Sequence, residues 1–320
     1  MHSNHSAINI CTAVVIATSL QLVVARAQQP SPANQKSPNE PQEYATGLTG
    51  VSIPIASDGA HVWISDIYGG LSALNADSGA LEWNQQVAGH PGGLIFDGTN
   101  LWVTVGGDFV SVVRATDGKI LKIVPLGAPW SDKIVFDGEN VWVAGSVDDN
   151  NGGSVSGLAK VRASDGSVLG SYKIDKQFGN IWGLAFDGTS LWLTTSSSKV
   201  IKVNPRNFST LGVFPVGPDP ISMAFDGSNA WVIFKGGIAE LRLKDGQRLG
   251  TFTTESPSGI AFDGSNIWIT NWEANTVTKL RASDRKVLDT LPVGGKPCGI
   301  VFAGKHIWIS NCKSHTVAKF

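Results

Sequence analysis

Short apolar runs separated by turn residues dominate this sequence, and the clearest example lies between Pro257 and Pro297. The runs are rich in Ile, Val, Trp and Thr, residues that favour β-strands. Asp-Gly and Gly-Gly pairs bound them, because these residues tolerate the positive φ that tight turns need. The pattern predicts four strands, at residues 259–262, 266–271, 276–282 and 286–293.

The same pattern recurs along the chain, marked each time by a tryptophan four residues after a glycine. These tryptophans are Trp63, Trp102, Trp142, Trp192, Trp231, Trp268 and Trp308. Successive steps between them are 39, 40, 50, 39, 37 and 40 residues. A four-strand unit that repeats at roughly 40 residues is typical of a β-propeller with one blade per repeat. We therefore predict an all-β fold, a seven-bladed β-propeller of four-stranded blades.

The first strand of each repeat is almost continuously apolar, as in Gly183–Phe186 and Gly259–Phe262. Such runs are typical of strands that are buried on both faces, which is the position of an innermost strand between neighbouring blades. The glycine that heads these runs suits a crowded site near the axis. The tryptophan on the second strand would then fill the wedge between blades.

The repeats are out of phase with the start of the sequence. Aligning Trp63 with Trp308 places Ala45–Gly50 opposite Thr290–Gly295, the fourth strand of the preceding repeat. Residues 316–320 correspond to a third strand that lacks its fourth. We therefore predict that the N-terminal strand completes the last blade and closes the ring, which removes exposed sheet edges.

Two segments precede the predicted propeller, which covers residues 43–320. Residues 1–27 combine an apolar run with Ala25-Arg26-Ala27, and this pattern predicts a secretory signal peptide cleaved after Ala27. An uncleaved anchor is the alternative. Residues 28–42 contain four prolines and no large apolar side chain, which predicts a Pro-rich flexible linker. This organisation predicts a secreted or periplasmic protein.

Charge is sparse and balanced in this chain, with 16% charged residues and a net charge of −1. No basic stripe is present, which argues against nucleic acid as a partner. No later apolar run reaches membrane length, so we expect no membrane span in the mature chain. We expect a monomer.

Two cysteines, Cys298 and Cys312, flank the first hairpin of the last repeat. With Lys305 at the centre of the turn, Trp308 lies opposite Phe302, and the two cysteines lie opposite each other within disulfide reach. A secreted compartment permits this bond. Two buried free thiols are the alternative, and a zinc site is less favoured because no third or fourth soft ligand is near.

Loops before the first and after the second strand of each repeat share one face of a propeller, and they vary from repeat to repeat. Variable loops on a constant scaffold are where binding sites are expected. Exposed aromatics beside polar groups suit a ligand or partner surface, although packing under a loop is the alternative for each. The candidate ligand or partner face comprises Asp66, Tyr68, His90, Trp130, Asp132, Trp182, Asp219, Glu255, Trp272, Glu273, Lys296 and Lys313.

Motifs for catalysis are weak, and no P-loop or H-E-x-x-H pattern is present. His90 and His315 are candidate bases, but they fall in repeats that are not neighbours. Asp148 and Asp149 open an oxygen-rich loop in the style of a calcium site, without the bidentate Glu of the EF-hand pattern. The catalytic residues stay unknown, and a divalent cation, calcium or magnesium, is a weak candidate cofactor.

The segment Trp268-Ile269-Thr270-Asn271, followed by Asn275-Thr276-Val277, resembles the YVTN-type β-propeller repeat. The repeat is also similar to those of streptogramin (virginiamycin B) lyase-like and NHL-like propellers. The resemblance implies a secreted or surface-exposed propeller. The lyases carry Glu at the end of the tryptophan strand and use a magnesium-dependent His/Glu centre. None of the corresponding positions in this sequence is Glu, so no catalytic residue carries over.

These observations favour a secreted or periplasmic propeller that binds a small ligand or a protein partner through its variable face. The alternative is a metal-dependent lyase or lactone hydrolase of the streptogramin lyase-like type. That alternative requires carboxylates such as Asp66, Asp219 and Glu273 to converge on one metal ion. A structural surface protein is a third hypothesis, and it predicts no pocket.

Overall fold

The computed structural model of the protein describes residues 40–50, 52–87, 89–127, 130–148 and 154–320. Within these ranges the side chains at 52–53, 130–132, 146–148 and 154 are not described. The predicted signal peptide (1–27) and most of the predicted linker (28–42) lie outside the described residues, and both stay predictions.

The first half of the described chain is built from short strands. They are β1 (Gln42–Ala45), β2 (Ser52–Ser57), β3 (His61–Asp66), β4 (Gly70–Asn75), β5 (Leu81–Gln86), β6 (Gly93–Phe96), β7 (Asn100–Thr104), β8 (Phe109–Arg114), β9 (Ile120–Pro125), β10 (Trp130–Phe136), β11 (Asn140–Asp148), β12 (Ser154–Arg162) and β13 (Val168–Lys173).

The second half continues in the same way after a 3-10 turn at Lys176–Phe178. Its strands are β14 (Ile181–Phe186), β15 (Leu191–Thr195), β16 (Lys199–Val203), β17 (Thr210–Pro215), β18 (Ser222–Phe225), β19 (Asn229–Phe234), β20 (Gly237–Arg242), β21 (Arg248–Thr253), β22 (Pro257–Phe262), β23 (Asn266–Asn271), β24 (Thr276–Arg281), β25 (Val287–Pro292), β26 (Pro297–Ala303), β27 (His306–Asn311) and β28 (Thr316–Lys319). The four strands predicted from the 257–297 pattern match β22 to β25 to within two residues.

The strands pair into seven antiparallel four-stranded sheets, each of which is one blade. Blades 1 to 6 are β2–β5, β6–β9, β10–β13, β14–β17, β18–β21 and β22–β25, and blade 7 is β26–β28 with β1. The fold is therefore an all-β seven-bladed propeller, as predicted. Within the described residues, no helix has the length and apolar character that a membrane crossing requires.

The innermost strands of the blades form a closed ring around the axis. Each of β2, β6, β10, β14, β18, β22 and β26 contacts both of its neighbours, including β26 with β2. A Cβ atom at Gly259 would lie 2.6 Å from the carbonyl oxygen of Cys298 on the next innermost strand. Glycine at the head of these strands therefore permits the close approach of two backbones.

The hydrophobic core lies in the wedges between blades, around the repeat tryptophans. Six of the seven have at most 1% of their surface exposed, while Trp268 has 6%. In five blades the indole N–H donates a hydrogen bond of 2.6–2.8 Å to the aspartate of the preceding Asp-Gly turn. The pairs are Trp102–Asp97, Trp142–Asp137, Trp192–Asp187, Trp231–Asp226 and Trp268–Asp263.

Blades 1 and 7 lack this hydrogen bond. In blade 1, Asp58 pairs with the His61 ring at 2.9 Å, and in blade 7 the aspartate position holds Ala303. The indole nitrogens of Trp63 and Trp308 are buried without a hydrogen-bond partner among the described residues. The chain therefore contains the same wedge with and without the bond, which allows the bond to be tested.

Asp226→Ala is expected to lower the free energy of unfolding by about 1–3 kcal/mol, because a buried indole donor and turn amides lose their acceptor. Burial acts to raise the pKa of Asp226, but the hydrogen bonds from Trp231, Ser228 and Asn229 outweigh it and the pKa is lowered. A carboxyl group whose pKa is lowered in the folded state stabilises the protein above its unfolded-state pKa. This stabilisation is lost as the pH falls through the folded-state pKa. Denaturant unfolding should therefore show that the difference in free energy of unfolding between the wild type and Asp226→Ala becomes smaller below about pH 4.

The control for this test is Asp58→Ala, which removes an equivalent aspartate that does not bond an indole. We expect a smaller loss of stability for this variant. Equal losses for the two variants would show that the aspartate acts through its turn alone and not through the tryptophan.

The first hairpin of blade 7 differs from its predicted register. Trp308 pairs with Val301, one residue before the predicted partner Phe302. The prediction was wrong because it placed Lys305 at the centre of the turn, whereas Gly304 and Lys305 together form a two-residue loop. An even loop shifts every opposed pair by one residue.

Blade 7 is completed by the strand nearest the N-terminus. β1 pairs antiparallel with β28, with Gln42 opposite Lys319 and Ala45 opposite Thr316. The sequence placed this strand at 45–50, slightly later than the observed β1. The Tyr44 ring packs on Trp308 at a centroid distance of 5.4 Å. Residues 46–50 then lead to blade 1 and carry contacts of the candidate site.

Candidate functional site

The two faces of the ring carry different connections. Turns after the first and third strands of each blade lie on one face, here called the Asp-Gly face. Loops after the second and fourth strands lie on the opposite face, here called the variable face. The candidate residues proposed from the sequence fall in or beside the loops of the variable face.

One backbone position of the variable face holds a different residue in each blade. This position lies twelve residues before the repeat tryptophan and just before or at the start of the innermost strand. Its occupants in blades 2 to 7 are His90, Trp130, Asn180, Asp219, Ser256 and Lys296. Three of these have a left-handed backbone, with φ of 50° at Asp219, 48° at Ser256 and 59° at Lys296. In these three blades the same backbone geometry therefore presents different side chains.

The loop after β23 and the loop before β26 meet in one cluster. Lys296 Nζ pairs with the Glu273 carboxylate at 2.6 Å and lies 5.6 Å from the centre of the Trp272 ring. Glu273 is exposed, while Trp272 and Lys296 are half-buried. The structure thus brings together three of the residues proposed from the sequence, and it adds a cation–π contact that sequence alone did not identify.

The disulfide holds the next loop against this cluster. Cys298 and Cys312 are bonded, with Cα atoms 6.0 Å apart. A register shift near the start of β26 brings Cys298 within reach of the residue that follows β27. The Cys312 amide also donates to the Lys296 carbonyl at 2.9 Å. Lys313 lies beside this pair, and its amide donates to the Gly295 carbonyl at 3.1 Å.

The segment 46–50 links this cluster to blade 1. His315 Nδ1 donates to the Gly50 carbonyl at 2.5 Å, and the Thr46 hydroxyl donates to the His315 carbonyl at 3.1 Å. The Gly50 amide in turn donates to Asp66 at 2.8 Å. His315 therefore fastens the closing segment, which gives it a structural role in addition to its place on the variable face.

Asp66 is buried and accepts hydrogen bonds from four backbone amides, those of Thr49, Gly50, Tyr68 and Gly70, at 2.8–3.2 Å. These bonds use both oxygens, so the carboxylate organises two loops rather than facing solvent. Tyr68, two residues further on, has 63% of its surface exposed. His90 Nδ1 donates to the Ile67 carbonyl at 2.7 Å, which links blade 2 to the same loop.

We use the name variable-face arc for the chain of contacts that runs from blade 6 through blades 7 and 1 to blade 2. Its exposed or half-buried members are Tyr68, His90, Trp272, Glu273, Lys296, Lys313 and His315. Glu255 is exposed and lies beside the arc. The carbonyl of the next residue, Ser256, accepts a hydrogen bond from the Trp272 amide at 2.9 Å.

Other residues proposed from the sequence lie away from the arc. Trp182 lies within β14, where a register shift between Ile181 and Gly183 makes it a bulged residue rather than a loop residue. Asp219 lies before β18 in blade 5. The side chains of Trp130, Asp132 and Asp148, and all of Asp149, lie outside the described residues.

The axial channel opens beside the disulfide. A cavity of about 300 Å³ is lined by innermost strands, including Lys133, Ser258, Gly259, Cys298 and Gly299. Register shifts occur at the start of β2, β10, β14, β22 and β26. β-Bulges of this kind at a rim redirect side chains. The sequence did not reveal these bulges.

The comparisons with known proteins concern the fold. BamB from Moraxella catarrhalis superimposes with a TM-score of 0.61 at 12% identity, over 84% of this chain and 85% of that chain. Hydrazine synthase from Kuenenia stuttgartiensis gives a TM-score of 0.64 at 17% identity, over 84% of this chain and 95% of that chain. This chain has their fold. No protein-family model and no curated protein matches it.

The fold alone does not choose between binding and catalysis, because one of these structures is named as a synthase. The arrangement of the site bears on that choice. Within the described part of the chain, no three His, Cys, Asp or Glu side chains are grouped so that they could hold a metal ion. Asp66 is committed to backbone amides, and Glu273 is paired with Lys296.

Proposed function

We propose that this chain is a binding propeller that recognises a protein partner through the variable-face arc. The observation that carries the proposal is the Trp272–Lys296–Glu273 cluster, held beside the Cys298–Cys312 disulfide. Aromatic residues and cations anchored on a rigid support are the features that dominate the energy of protein interfaces. The arc spans four blades, which suits a protein surface better than a single small ligand.

The cellular location is part of the proposal. The N-terminal pattern of residues 1–27 and the disulfide both fit an oxidising compartment, either secreted or periplasmic. The alternative function, a metal-dependent lyase or lactone hydrolase, gains no specific support because the described carboxylates do not converge. We therefore propose no reaction for this chain.

The test is capture of partners by a Tyr68→Ala/Trp272→Ala double variant and by the wild type from extracts of the native organism. Both side chains lie in loops outside the wedges, so we expect the double variant to keep its melting temperature. We expect at least a fivefold loss of specifically captured protein, measured by quantitative mass spectrometry. The matched control is Leu121→Ala, which removes a 45%-exposed side chain from an outer strand.

Equal capture by the double variant and the wild type would rule out the arc as the partner surface. An equal loss with Leu121→Ala would show that any exposed apolar side chain supports capture, and it would count against a specific site. Neither result tests binding at the opposite, Asp-Gly face.

A further inference from the structure

A repeated contact on the Asp-Gly face joins each blade to the next. The turn between the third and fourth strands of one blade covers the repeat tryptophan of the blade before it. In six of the seven wedges the covering residue is apolar. In each of these wedges the tryptophan and a residue of that turn belong to one packed cluster: Trp63 and Ala115, Trp102 and Ala163, Trp142 and Phe208, Trp192 and Leu243, Trp231 and Ala282, and Trp308 and Ala76.

A lysine strengthens this contact in several blades. It lies opposite the tryptophan on the third strand, with its ammonium over the indole ring. Lys160 Nζ donates to the Pro205 carbonyl of the next blade's turn at 3.2 Å, and Lys202 Nζ donates to the Leu243 carbonyl at 2.9 Å. Lys319 Nζ donates to the Asp77 carbonyl in the same way. A turn carbonyl is therefore the usual partner of this ammonium.

Blade 6 carries the same lysine without the turn. Lys279 Nζ lies 4.8 Å from the centre of the Trp268 ring. It faces blade 7, whose third and fourth strands, β28 and β1, are not consecutive in the chain, so no turn connects them. Among the described residues, no hydrogen-bond acceptor or ion-pair partner of the Lys279 ammonium is present.

Among the described residues, a cavity lies where this turn would be, and it is bordered by Glu40 and Gln42 at the start of β1. It has a volume of about 680 Å³ and is lined by Trp268, Lys279, Leu291, Phe302, His306 and Phe320, among others. Phe320 follows β28 and covers part of the indole at a centroid distance of 6.0 Å. Trp268 nevertheless keeps 6% of its surface exposed, more than any other repeat tryptophan. The volume lies within the range of about 300–1,000 Å³ that is usual for ligand sites.

The six filled wedges show what chemistry fits this cavity. Four of the covering turns carry an arginine paired with an aspartate three residues later, at 2.8–3.0 Å. A glycine after the aspartate lies under an outer-strand aromatic of the preceding blade in two cases, Gly118 under Trp83 and Gly246 under Phe214. The cavity lining has mixed charge, with Asp263, Asp289, Lys279 and Lys305 among its members. A turn that carries one charge of each sign is complementary to it.

We infer that the cavity between blades 6 and 7 is a second binding site, which accepts a tight turn of a protein partner with the form Arg-Ala-Ser/Thr-Asp-Gly. The turn carbonyl would accept a hydrogen bond from Lys279 Nζ, and the small apolar residue would cover Trp268. The site lies on the Asp-Gly face, opposite the variable-face arc, so it is independent of the function proposed above.

The test uses a cyclised peptide that contains Arg-Ala-Ser-Asp-Gly, the sequence of residues 162–166 in this chain. Binding of the labelled peptide to the whole protein is followed by fluorescence anisotropy. We expect saturable binding that Lys279→Met weakens about tenfold, because a hydrogen bond from a charged group is lost. A second variant, Phe302→Ala, changes an exposed side chain at the rim and is expected to weaken binding without affecting the fold.

The matched control is Lys202→Met, which removes the equivalent lysine of a wedge that already holds its turn. This variant should lose stability but keep the affinity for the peptide. The inference is overturned if the wild type shows no saturable binding, if Lys279→Met and Phe302→Ala both bind as the wild type does, or if Lys202→Met weakens binding as much as Lys279→Met.

Discussion

Trp192→Ala is expected to lower the free energy of unfolding by about 3–5 kcal/mol, the largest effect of any single substitution considered for this protein. The Trp192 side chain is fully buried. Its indole N–H donates to Asp187 at 2.7 Å, and Phe214 and Phe225 pack on its ring at 5.6 and 6.0 Å. Removing it leaves a cavity between two rigid sheets that have no means to collapse, and it leaves the Asp187 carboxylate without its indole donor.

The measurement is denaturant unfolding of the wild type and of the variant, followed by far-ultraviolet circular dichroism. The matched control is Trp268→Ala. Trp268 makes the same bond to an aspartate, at 2.7 Å, but it borders the cavity between blades 6 and 7. Water can enter a space that is already open, so we expect a smaller loss. Equal losses of unfolding free energy for the two variants would show that the wedge between blades 6 and 7 is packed as tightly as the others.

The fold could be predicted from the sequence because its information is periodic. Seven tryptophans at a nearly constant step specify one wedge per blade, and a wedge needs an apolar partner on each side. The Asp-Gly pair that precedes most of them specifies the turn and also supplies the indole acceptor. Each local preference agrees with the same global arrangement, and that agreement makes a repeat sequence predictable.

The register of a hairpin is harder to predict than its existence. Whether Lys305 alone or Gly304 with Lys305 forms the turn shifts each opposed pair by one residue, and both choices keep the apolar residues in the same strand. The innermost strand is almost continuously apolar in sequence, so no alternation of apolar and polar residues selects the register. The bulge near Pro297 is also invisible in the pattern, although it brings the two cysteines together.

The candidate site was only partly predictable for a related reason. Sequence identified the variable loops, but not which of their side chains would be used inside the fold. Asp66 was proposed as a binding residue, and its carboxylate is occupied by four amides. Trp182 was placed in a loop, and it lies on a strand. The cavity beside Trp268 lies where the other wedges have a turn between a third and a fourth strand. No local sequence pattern indicates that this turn is absent there.

Removal of residues 40–45 from the chain is the second large effect that we expect. This deletion takes away β1, so β28 loses its four paired residues and becomes an exposed edge. It also removes the Tyr44 ring, which packs on Trp308 and over Gly79 of the next blade's turn. The lost aromatic burial and backbone hydrogen bonds together amount to a loss on the order of 4 kcal/mol.

The physical argument for this deletion concerns more than the strand itself. Blade 7 touches blade 1 through β26 against β2, through the wedge core around Trp308 and through the Tyr44 side chain. Loss of β1 removes the last of these contacts and weakens the seam. An opened seam exposes the edge of β28, and unpaired edges template association between chains. We therefore expect a lower unfolding midpoint together with concentration-dependent aggregation, measured by denaturant unfolding and light scattering.

The control is Tyr44→Phe, which keeps the ring on Trp308 and removes only the exposed hydrogen bond to Gln42 at 2.7 Å. It should unfold within about 0.5 kcal/mol of the wild type, as surface changes usually do. If the deletion also unfolds at the wild-type midpoint and stays monomeric, β1 is dispensable, and the ring is held closed by the contact of β26 with β2 and by the wedge core around Trp308. Those contacts would then have to account for the cooperativity of seven blades without a shared strand at the seam.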